Sequence, residues 1–163
     1  MGEWEIPDTH MIHPHDPNCI FCRIIAGDED RGNVFWEDDV AVGLMDHRPL
    51  KPGHALLIPR AHYATVKDLP HDLIGPLFER AAVLNRAVEV ALGADGSFSG
   101  YNTHVSQSVD HFHLHVVPRT FGDKLFSGGR WVRRRIKDVA EHHAQRDALG
   151  NTMRELLRSG ATT

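Results

Sequence analysis

The sequence contains few cysteines and no long apolar run. Two cysteines in 163 residues cannot form the disulfide framework of a small secreted scaffold. No apolar stretch approaches the ~18 residues that a membrane-spanning helix needs. The start of the chain, Met1 to Glu5, has neither the basic residues nor the apolar stretch of a secretory signal. These absences predict a cytoplasmic protein without a membrane partner.

An excess of positive charge is also missing. Eighteen Lys and Arg residues against 22 Asp and Glu residues give a formal net charge of −4. This balance provides no general attraction to nucleic acid, which is therefore not expected as a partner. The hydrophobic share of 41% and the charged share of 25% are ordinary for a globular protein. The chain therefore has enough apolar residues for a core.

The residue pattern divides the chain into three parts. Residues 1–16 are polar, rich in Pro and His, and without a period, which predicts a flexible N-terminal arm. Residues 17–125 form the expected domain, with one long helical period over 70–92. Residues 126–163 form a C-terminal extension in which the spacing predicts a polar helix over 136–158.

The connections between the predicted strands are too short for parallel crossovers. They favour an α+β fold with an antiparallel sheet of about five strands. One main helix, a short N-terminal helix after Cys19 and an added C-terminal helix complete the prediction. The expected strands are 33–38, 40–46, 54–58, 98–103 and 109–117.

Histidine, by contrast, is abundant, with 13 residues. The sharpest pattern is His111-Phe-His113-Leu-His115, which in a strand would place three imidazoles on one face. A solvated strand face is one interpretation. A zinc site formed by all three is excluded, because the outer two would lie roughly 13 Å apart. An imidazole nucleophile with imidazole neighbours fits best, and the preceding Gln107 and Ser108 offer hydrogen-bond donors for phosphate oxygens.

The two cysteines, Cys19 and Cys22, form a C-x-x-C motif. This spacing fits thiol redox chemistry, zinc binding or two small buried residues. A thioredoxin-like βαβ pattern around the motif is missing, which disfavours redox chemistry. Four-coordinate zinc would need two further ligands.

The stretch 107–119 resembles the signature of the histidine-triad (HIT) family of nucleotide hydrolases and nucleotidyl transferases. The resemblance extends over about residues 17–123, with matching segments in the same order. These further segments are 19–27, 37–39, 44–49 and 52–59.

The resemblance implies a role for each matching residue. His113 matches the nucleophile that forms a nucleotidyl-histidine intermediate, and His115 matches the histidine that contacts the phosphate near the leaving group. Ser108 is expected beside them as a catalytic and nucleotide-binding residue, and Asp46 is expected to hold the ribose hydroxyls. The other implied nucleotide-binding residues are Ile20, Phe21, Ile24, Leu44, His47, Asn102 and Gln107. Ser106 stands where the family's phosphate loop usually has glycine.

The resemblance also implies a structural zinc ion. Some bacterial members of the family bind zinc through a C-x-x-C motif, the histidine of a Gly-His pair and the first triad histidine. The matching residues here are Cys19, Cys22, His54 and His111. Competing ligands would be the histidines of the arm, His10, His13 and His15.

The activity implied is cleavage at the α-phosphate of AMP-X substrates, either dinucleoside polyphosphates or nucleoside phosphoramidates, by hydrolysis or phosphorolysis. Pro118 and Arg119 favour the dinucleoside polyphosphate branch. The alternative function is a nucleotide- or zinc-binding regulatory module with little turnover. Members of the family are typically twofold dimers, so a homodimer is expected.

Three further predictions concern residues with weaker signals. His62 is predicted to be a surface or loop residue. Arg133 and its two arginine neighbours are predicted to be either a solvated patch or a polyphosphate contact. His142 on the C-terminal helix is predicted to face solvent.

Overall fold

The chain forms a five-stranded antiparallel sheet with three helices, as seen in a computed structural model that describes residues 14–128 and 131–160. This confirms the predicted fold class. The spatial order of the strands is β1-β2-β3-β5-β4. The strands are β1 (Val34–Glu37), β2 (Ala41–Met45), β3 (Ala55–Pro59), β4 (Gly96–Gly100) and β5 (Leu114–Arg119). The helices are α1 (Ile20–Ala26), α2 (His71–Leu92) and α3 (Val139–Ser159).

The domain boundaries predicted from the sequence stay a prediction, since residues 1–13 of the arm lie outside the described residues. Among the residues that the structure does describe, no helix is both long and apolar enough to cross a membrane.

Both faces of the sheet are covered. In β3, Leu57 faces the main core with α2, whereas Leu56 and Ile58 face a second apolar cluster with α1. This alternation follows from the two-residue side-chain period of a strand. Because helices cover both faces, every residue of β3 is buried. The sheet therefore holds the elements on its two sides in fixed positions.

The C-terminal extension packs onto the same sheet through α3. Asp138 caps the start of this helix by accepting a hydrogen bond from the Glu141 amide at 2.9 Å. Leu149 and Met153 are fully buried. Gly150 lies against the Phe35 carbonyl of β1, where a Cβ atom would collide.

His142 does not face solvent as predicted. It is buried on the face of α3 that packs against the domain, and its Nε2 lies 3.0 Å from Asn33 Oδ1. The prediction failed because α3 has few apolar residues. Their spacing does not define the buried face of the helix well enough to show that a polar residue such as His142 lies on it.

The histidine-rich segment enters the sheet later than predicted. Strand β5 begins at Leu114, so only His115 of the three histidines lies in a strand. The alternation still holds, since Phe112, Leu114 and Val116 all pack into the main core.

The antiparallel register of β3 and β5 decides what each histidine meets. Ala55 pairs with Val116, and Leu57 pairs with Leu114. If this register is extended towards the residues before β5, His111 lies beside the end of β3. The Nε2 atom of His111 lies 2.9 Å from the Pro59 carbonyl oxygen. The opposite end of β3, where His54 lies, is next to the body of β5.

Candidate active site and metal cluster

A pocket opens between α1, the end of β2 and the histidine segment. The structure brings most of the predicted catalytic and nucleotide-binding residues into its lining. These are Ile20, Phe21, Ile24, Leu44, Asp46, His47, Ser108, His113 and His115. The lining also contains seven residues outside the predicted site, and two of these seven, Asp30 and Arg133, are charged.

His113 is held in one tautomer. Its Nδ1 lies 2.7 Å from the His111 carbonyl oxygen. A carbonyl only accepts hydrogen bonds, so Nδ1 must carry the proton. Burial lowers the pKa of His113, which keeps the ring neutral near neutral pH. Its Nε2 therefore has a free lone pair, which is the requirement for a nucleophile.

His115 is held in the opposite tautomer by a short hydrogen-bond chain. The Leu50 amide donates to His54 Nδ1 at 3.0 Å, so His54 carries its proton on Nε2. That nitrogen lies 2.9 Å from His115 Nδ1 and donates to it. The remaining proton of neutral His115 is then on Nε2, ready to be donated.

Burial is also the main cause that keeps this pair uncharged. It lowers the pKa of His54 to about 4 and that of His115 to about 3. Both rings are therefore neutral at physiological pH.

Asp46 is a buried carboxylate with donors on both oxygens. Its Oδ1 accepts from the Arg48 amide at 2.8 Å, and its Oδ2 accepts from Arg133 Nη1 at 2.6 Å. Burial alone would raise the pKa of Asp46, but His54, the Arg48 amide and Arg133 outweigh it and lower the pKa. Asp46 is therefore ionised at neutral pH.

Asn102 and Gln107 do not line the pocket. The side-chain Nε2 of Gln107 donates to the Ala64 carbonyl at 2.6 Å, and the side-chain Oε1 of Gln107 accepts from the His104 backbone amide at 2.9 Å. Asn102 donates to the Ser106 carbonyl at 3.2 Å. In this structure both amides shape the loop that leads to Ser108.

Ser106 adopts the conformation that glycine favours, with φ at 63°. A non-glycine residue in this left-handed region costs roughly 1 kcal/mol. The loop therefore keeps the backbone shape of a glycine at this position.

Arg119 does not point to the pocket lining either. Its guanidinium pairs with Asp123 through Nε at 2.7 Å and Nη2 at 2.6 Å, and lies over the Phe126 ring. The preference for the dinucleoside polyphosphate branch, which rested on Pro118 and Arg119, therefore gains no support from this arrangement.

A second cluster lies behind the pocket and consists of Cys19, Cys22, His62 and His111. We call it the metal cluster. His111 Nδ1 lies 3.5 Å from Cys19 Sγ and 3.6 Å from Cys22 Sγ. His62 Nδ1 lies 3.3 Å from Cys22 Sγ. All four ligand atoms lie within 4.8 Å of one another.

The structure does not bring the predicted ligand His54 to this cluster, and His62 lies there instead. His54 lies in a different group, with Asp46 and His115. The register of β3 and β5 places His54 beside Val117, six residues along the chain from His111. His62 follows the other end of β3, next to His111. His15 is exposed and outside the cluster, while His10 and His13 lie outside the described residues.

The donor set fits zinc. A tetrahedral ion with bonds of about 2.3 Å to sulfur and about 2.1 Å to nitrogen separates its ligand atoms by roughly 3.3 to 3.8 Å. His111 donates Nε2–H to the Pro59 carbonyl, which leaves Nδ1 as a lone pair directed at the two thiols. Such an outer hydrogen bond is usual for zinc-bound histidine. Both cysteines are buried and free of disulfide.

Comparison with known proteins agrees with this geometry. The sequence profile of the HIT domain matches residues 28–122. Over 141 residues the chain is 32% identical to an uncharacterized HIT-like protein of Mycobacterium tuberculosis, covering 85% of this chain and 92% of that protein. A solved zinc-bound histidine triad family protein from Mycobacterium smegmatis aligns with a TM-score of 0.74 and 32% identity. That alignment covers 87% of this chain and 97% of the other.

Two similar proteins have names that state an activity. An adenosine 5'-monophosphoramidase of Mus musculus is 31% identical, over 71% of this chain and 72% of its own length. An adenylylsulfatase of Arabidopsis thaliana is 31% identical over 74% of this chain. The alignment spans only 61% of the length of the plant protein.

Proposed function

Because the chain belongs to the HIT domain family, we propose that it is a nucleotide hydrolase or nucleotidyl transferase that reacts at the α-phosphate of AMP-X substrates. X is an amine, a sulfate, a phosphate or a second nucleotide. His113 is the nucleophile, and Asp46 holds the ribose.

The observation that carries this proposal is the hydrogen-bond geometry of His113, His54 and His115, which assigns opposite tautomers to His113 and His115. His113 presents an unprotonated Nε2, because its Nδ1 proton is held by the His111 carbonyl. His115 presents a protonated Nε2, because its Nδ1 accepts from His54. The two rings are neighbours, with centroids 5.0 Å apart. A nucleophile and a proton donor are thus adjacent without either ring being charged.

These two rings support a two-step reaction. In the first step His113 Nε2 forms a bond to the α-phosphorus, the bond from phosphorus to X breaks, and X takes the proton of His115 Nε2. In the second step water attacks phosphorus, gives a proton to His115, and releases AMP and free His113. With inorganic phosphate in place of water, the second step is phosphorolysis.

The names of the similar proteins support an AMP-X substrate. An adenosine phosphoramidate has an amine as the leaving group, and an adenylyl sulfate has sulfate. Both substrate types break a bond at the α-phosphate of an adenine nucleotide. We therefore place the reaction at that phosphorus.

We expect the His113→Ala substitution to abolish turnover. Without the nucleophile, release of AMP from a fluorogenic adenosine phosphoramidate should fall by at least about 10³-fold, while the affinity for AMP stays within about tenfold. Wild-type enzyme quenched during turnover should carry an acid-labile, base-stable nucleotidyl adduct, which mass spectrometry would locate on His113.

The matched control is His143→Ala, which removes an exposed imidazole from α3 and should leave turnover unchanged. Near-wild-type turnover of His113→Ala would contradict the mechanism. Wild-type protein that binds AMP but turns over none of a panel of phosphoramidate, adenylyl sulfate and dinucleoside polyphosphate substrates would instead indicate a regulatory nucleotide-binding module.

We also propose that the metal cluster holds a structural zinc ion through Cys19, Cys22, His62 and His111. Four protein ligands leave no position for a reactive water, so a zinc ion there would supply rigidity and no chemistry of its own. Free thiols at these positions suit a reducing compartment such as the cytoplasm, where we expect the protein to act.

We also propose that the chain forms a homodimer. Strand β4 is at the end of the sheet, and within the described chain only its edge towards β5 is paired. Phe98 of β4 contacts Phe126 and Trp131, which are 50% and 46% exposed. An isologous contact between two copies would cover this aromatic group.

A further inference from the structure

Arg133 reaches the pocket from outside the part of the chain that matches the family profile, which ends at residue 122. Its Nη1 donates to Asp46 Oδ2 at 2.6 Å and lies 3.3 Å from the Arg48 carbonyl oxygen. It also lines the same pocket as His113 and His115. The C-terminal extension therefore contributes a side chain to the nucleotide pocket.

The backbone around Arg133 is fixed to the loop after β2. The Arg134 amide donates to the Pro49 carbonyl at 2.9 Å. Together with the contact of Arg133 to the Arg48 carbonyl, this bond pins residues 133–134 to the segment that follows Asp46. The guanidinium is about one-third exposed, so it is neither a solvated charge nor a fully buried one.

The charges of the pocket give Arg133 a role. Among the described lining residues, Asp30 and Asp46 are acidic, and Arg133 is the one Lys or Arg. His115 does not add a positive charge, because its pKa is lowered to about 3. Burial is the largest cause of this shift, and the charge of Arg133 is one of the smaller causes. A nucleotide phosphate entering this pocket would meet two carboxylates and a single permanent cation.

We propose that Arg133 is a substrate-binding residue that pairs with the phosphate of the bound nucleotide while it keeps hold of Asp46. This inference rests on the proposed function, because it takes a nucleotide as the ligand. A guanidinium has five N–H donors, and the contact to Asp46 uses only Nη1. A second Nη1 donor is directed at the Arg48 carbonyl. Among the described residues, the Nε and Nη2 donors have no hydrogen-bond partner, so they can bind phosphate oxygens, which a guanidinium binds well in a two-pronged geometry.

Two other roles for the same contact make different predictions. If Arg133 blocks the pocket by occupying Asp46, its removal should tighten nucleotide binding. If Arg133 only holds the extension in place, its removal should weaken the binding of a charged and an uncharged nucleoside equally. Pairing with phosphate predicts a loss for the charged ligand alone.

The test is calorimetric binding of AMP and of adenosine to the zinc-loaded full chain. We expect Arg133→Gln to weaken AMP binding about tenfold or more, as for loss of a charged hydrogen bond, while adenosine binding changes less than about twofold. Arg133→Lys keeps the charge, so it should retain most of the preference for AMP. The control is Arg135→Gln, which removes the same charge from an exposed position on the same segment and should change neither affinity.

Tighter AMP binding by Arg133→Gln, or equal losses for AMP and adenosine, would overturn the proposal. If Arg133→Gln does not fold, an Arg133→Lys variant that loses its preference for AMP would overturn it as well. None of these measurements depends on turnover. A protein with this AMP preference but no hydrolysis would therefore reject the proposed reaction and keep the role of Arg133.

Discussion

Single side chains in the pocket and directly behind it are held by hydrogen bonds that decide where each proton lies. His54 is the clearest case, because it accepts from the Leu50 amide and donates to His115. His54 is fully buried and does not line the pocket. In the reaction proposed above it would act through His115, as a positioning residue.

Replacing His54 should therefore change turnover more than binding. In His54→Ala, His115 is free to take either tautomer, and we expect kcat to fall on the order of 10²-fold with little change in KM. His54→Gln keeps a carbonyl oxygen for the Leu50 amide and an N–H for His115, so it should recover kcat to within about tenfold of wild type.

The readouts are steady-state kinetics with a phosphoramidate substrate and a melting curve for each variant. A purely structural role for His54 would lower the melting temperature of His54→Ala while leaving kcat per folded molecule unchanged. That result would contradict the tautomer argument.

The roles of individual histidines show where sequence reasoning stopped at this scale. The pattern of His111, His113 and His115 was enough to predict a nucleophile with imidazole neighbours. It did not indicate His62, which was predicted only as a surface or loop residue, because the approach of His62 to His111 depends on the register of β3 and β5. The roles of Asn102 and Gln107 depend in the same way on loop geometry, which local sequence does not determine.

At the scale of elements, the metal cluster joins parts of the chain that are distant in sequence. Cys19 and Cys22 come from the start of α1, His62 from the loop after β3, and His111 from the segment before β5. Phe21 of α1 packs against the rings of both His111 and His113. A zinc ion there would hold α1, a wall of the pocket, against the nucleophile's segment.

Zinc content should therefore respond to His62 and not to His54. We expect elemental analysis to find about one zinc per chain in wild type and in His54→Ala. After dialysis against a chelator, Cys19→Ser and His62→Ala should retain almost none. Both should also melt roughly 5 °C or more below wild type, because the free energy of metal binding contributes to folding.

His54→Ala and His62→Ala form a matched pair, since each removes one imidazole at one end of β3. Zinc lost from His54→Ala and retained in His62→Ala would restore the ligand set that the sequence predicted. Zinc retained in all these variants would place the metal elsewhere.

The elements themselves were largely readable from the sequence. Glycine after an apolar helical period marks the end of α2 at Gly93, which adopts the left-handed conformation with φ at 63°. The start of β5 was placed too early because His111 and His113 alternate with apolar residues as strand residues do. In the structure both residues precede the strand. The His111 ring is hydrogen-bonded to the Pro59 carbonyl, and the His113 ring is hydrogen-bonded to the His111 carbonyl.

At the scale of the whole molecule, the aromatic group on β4 predicts self-association. Light scattering at micromolar concentration should give about 37 kDa, twice the 18.3 kDa of the chain. Phe126→Glu places a charge in this group and should shift the mass towards that of the monomer. The control is Val139→Glu, which changes an exposed residue at the start of α3 and should leave the mass unchanged. A wild-type monomer would refute the dimer.

The position of Arg133 has an evolutionary consequence. The histidines and Asp46 lie within residues 28–122, where the family profile applies, whereas Arg133 lies beyond it. If Arg133 binds the nucleotide as proposed, changes in the extension can alter the charge beside Asp46 while the histidines stay unchanged. Related proteins with the same histidines but different extensions would then diverge in substrate preference, and a chimera that exchanges only residues 126–163 would transfer that preference.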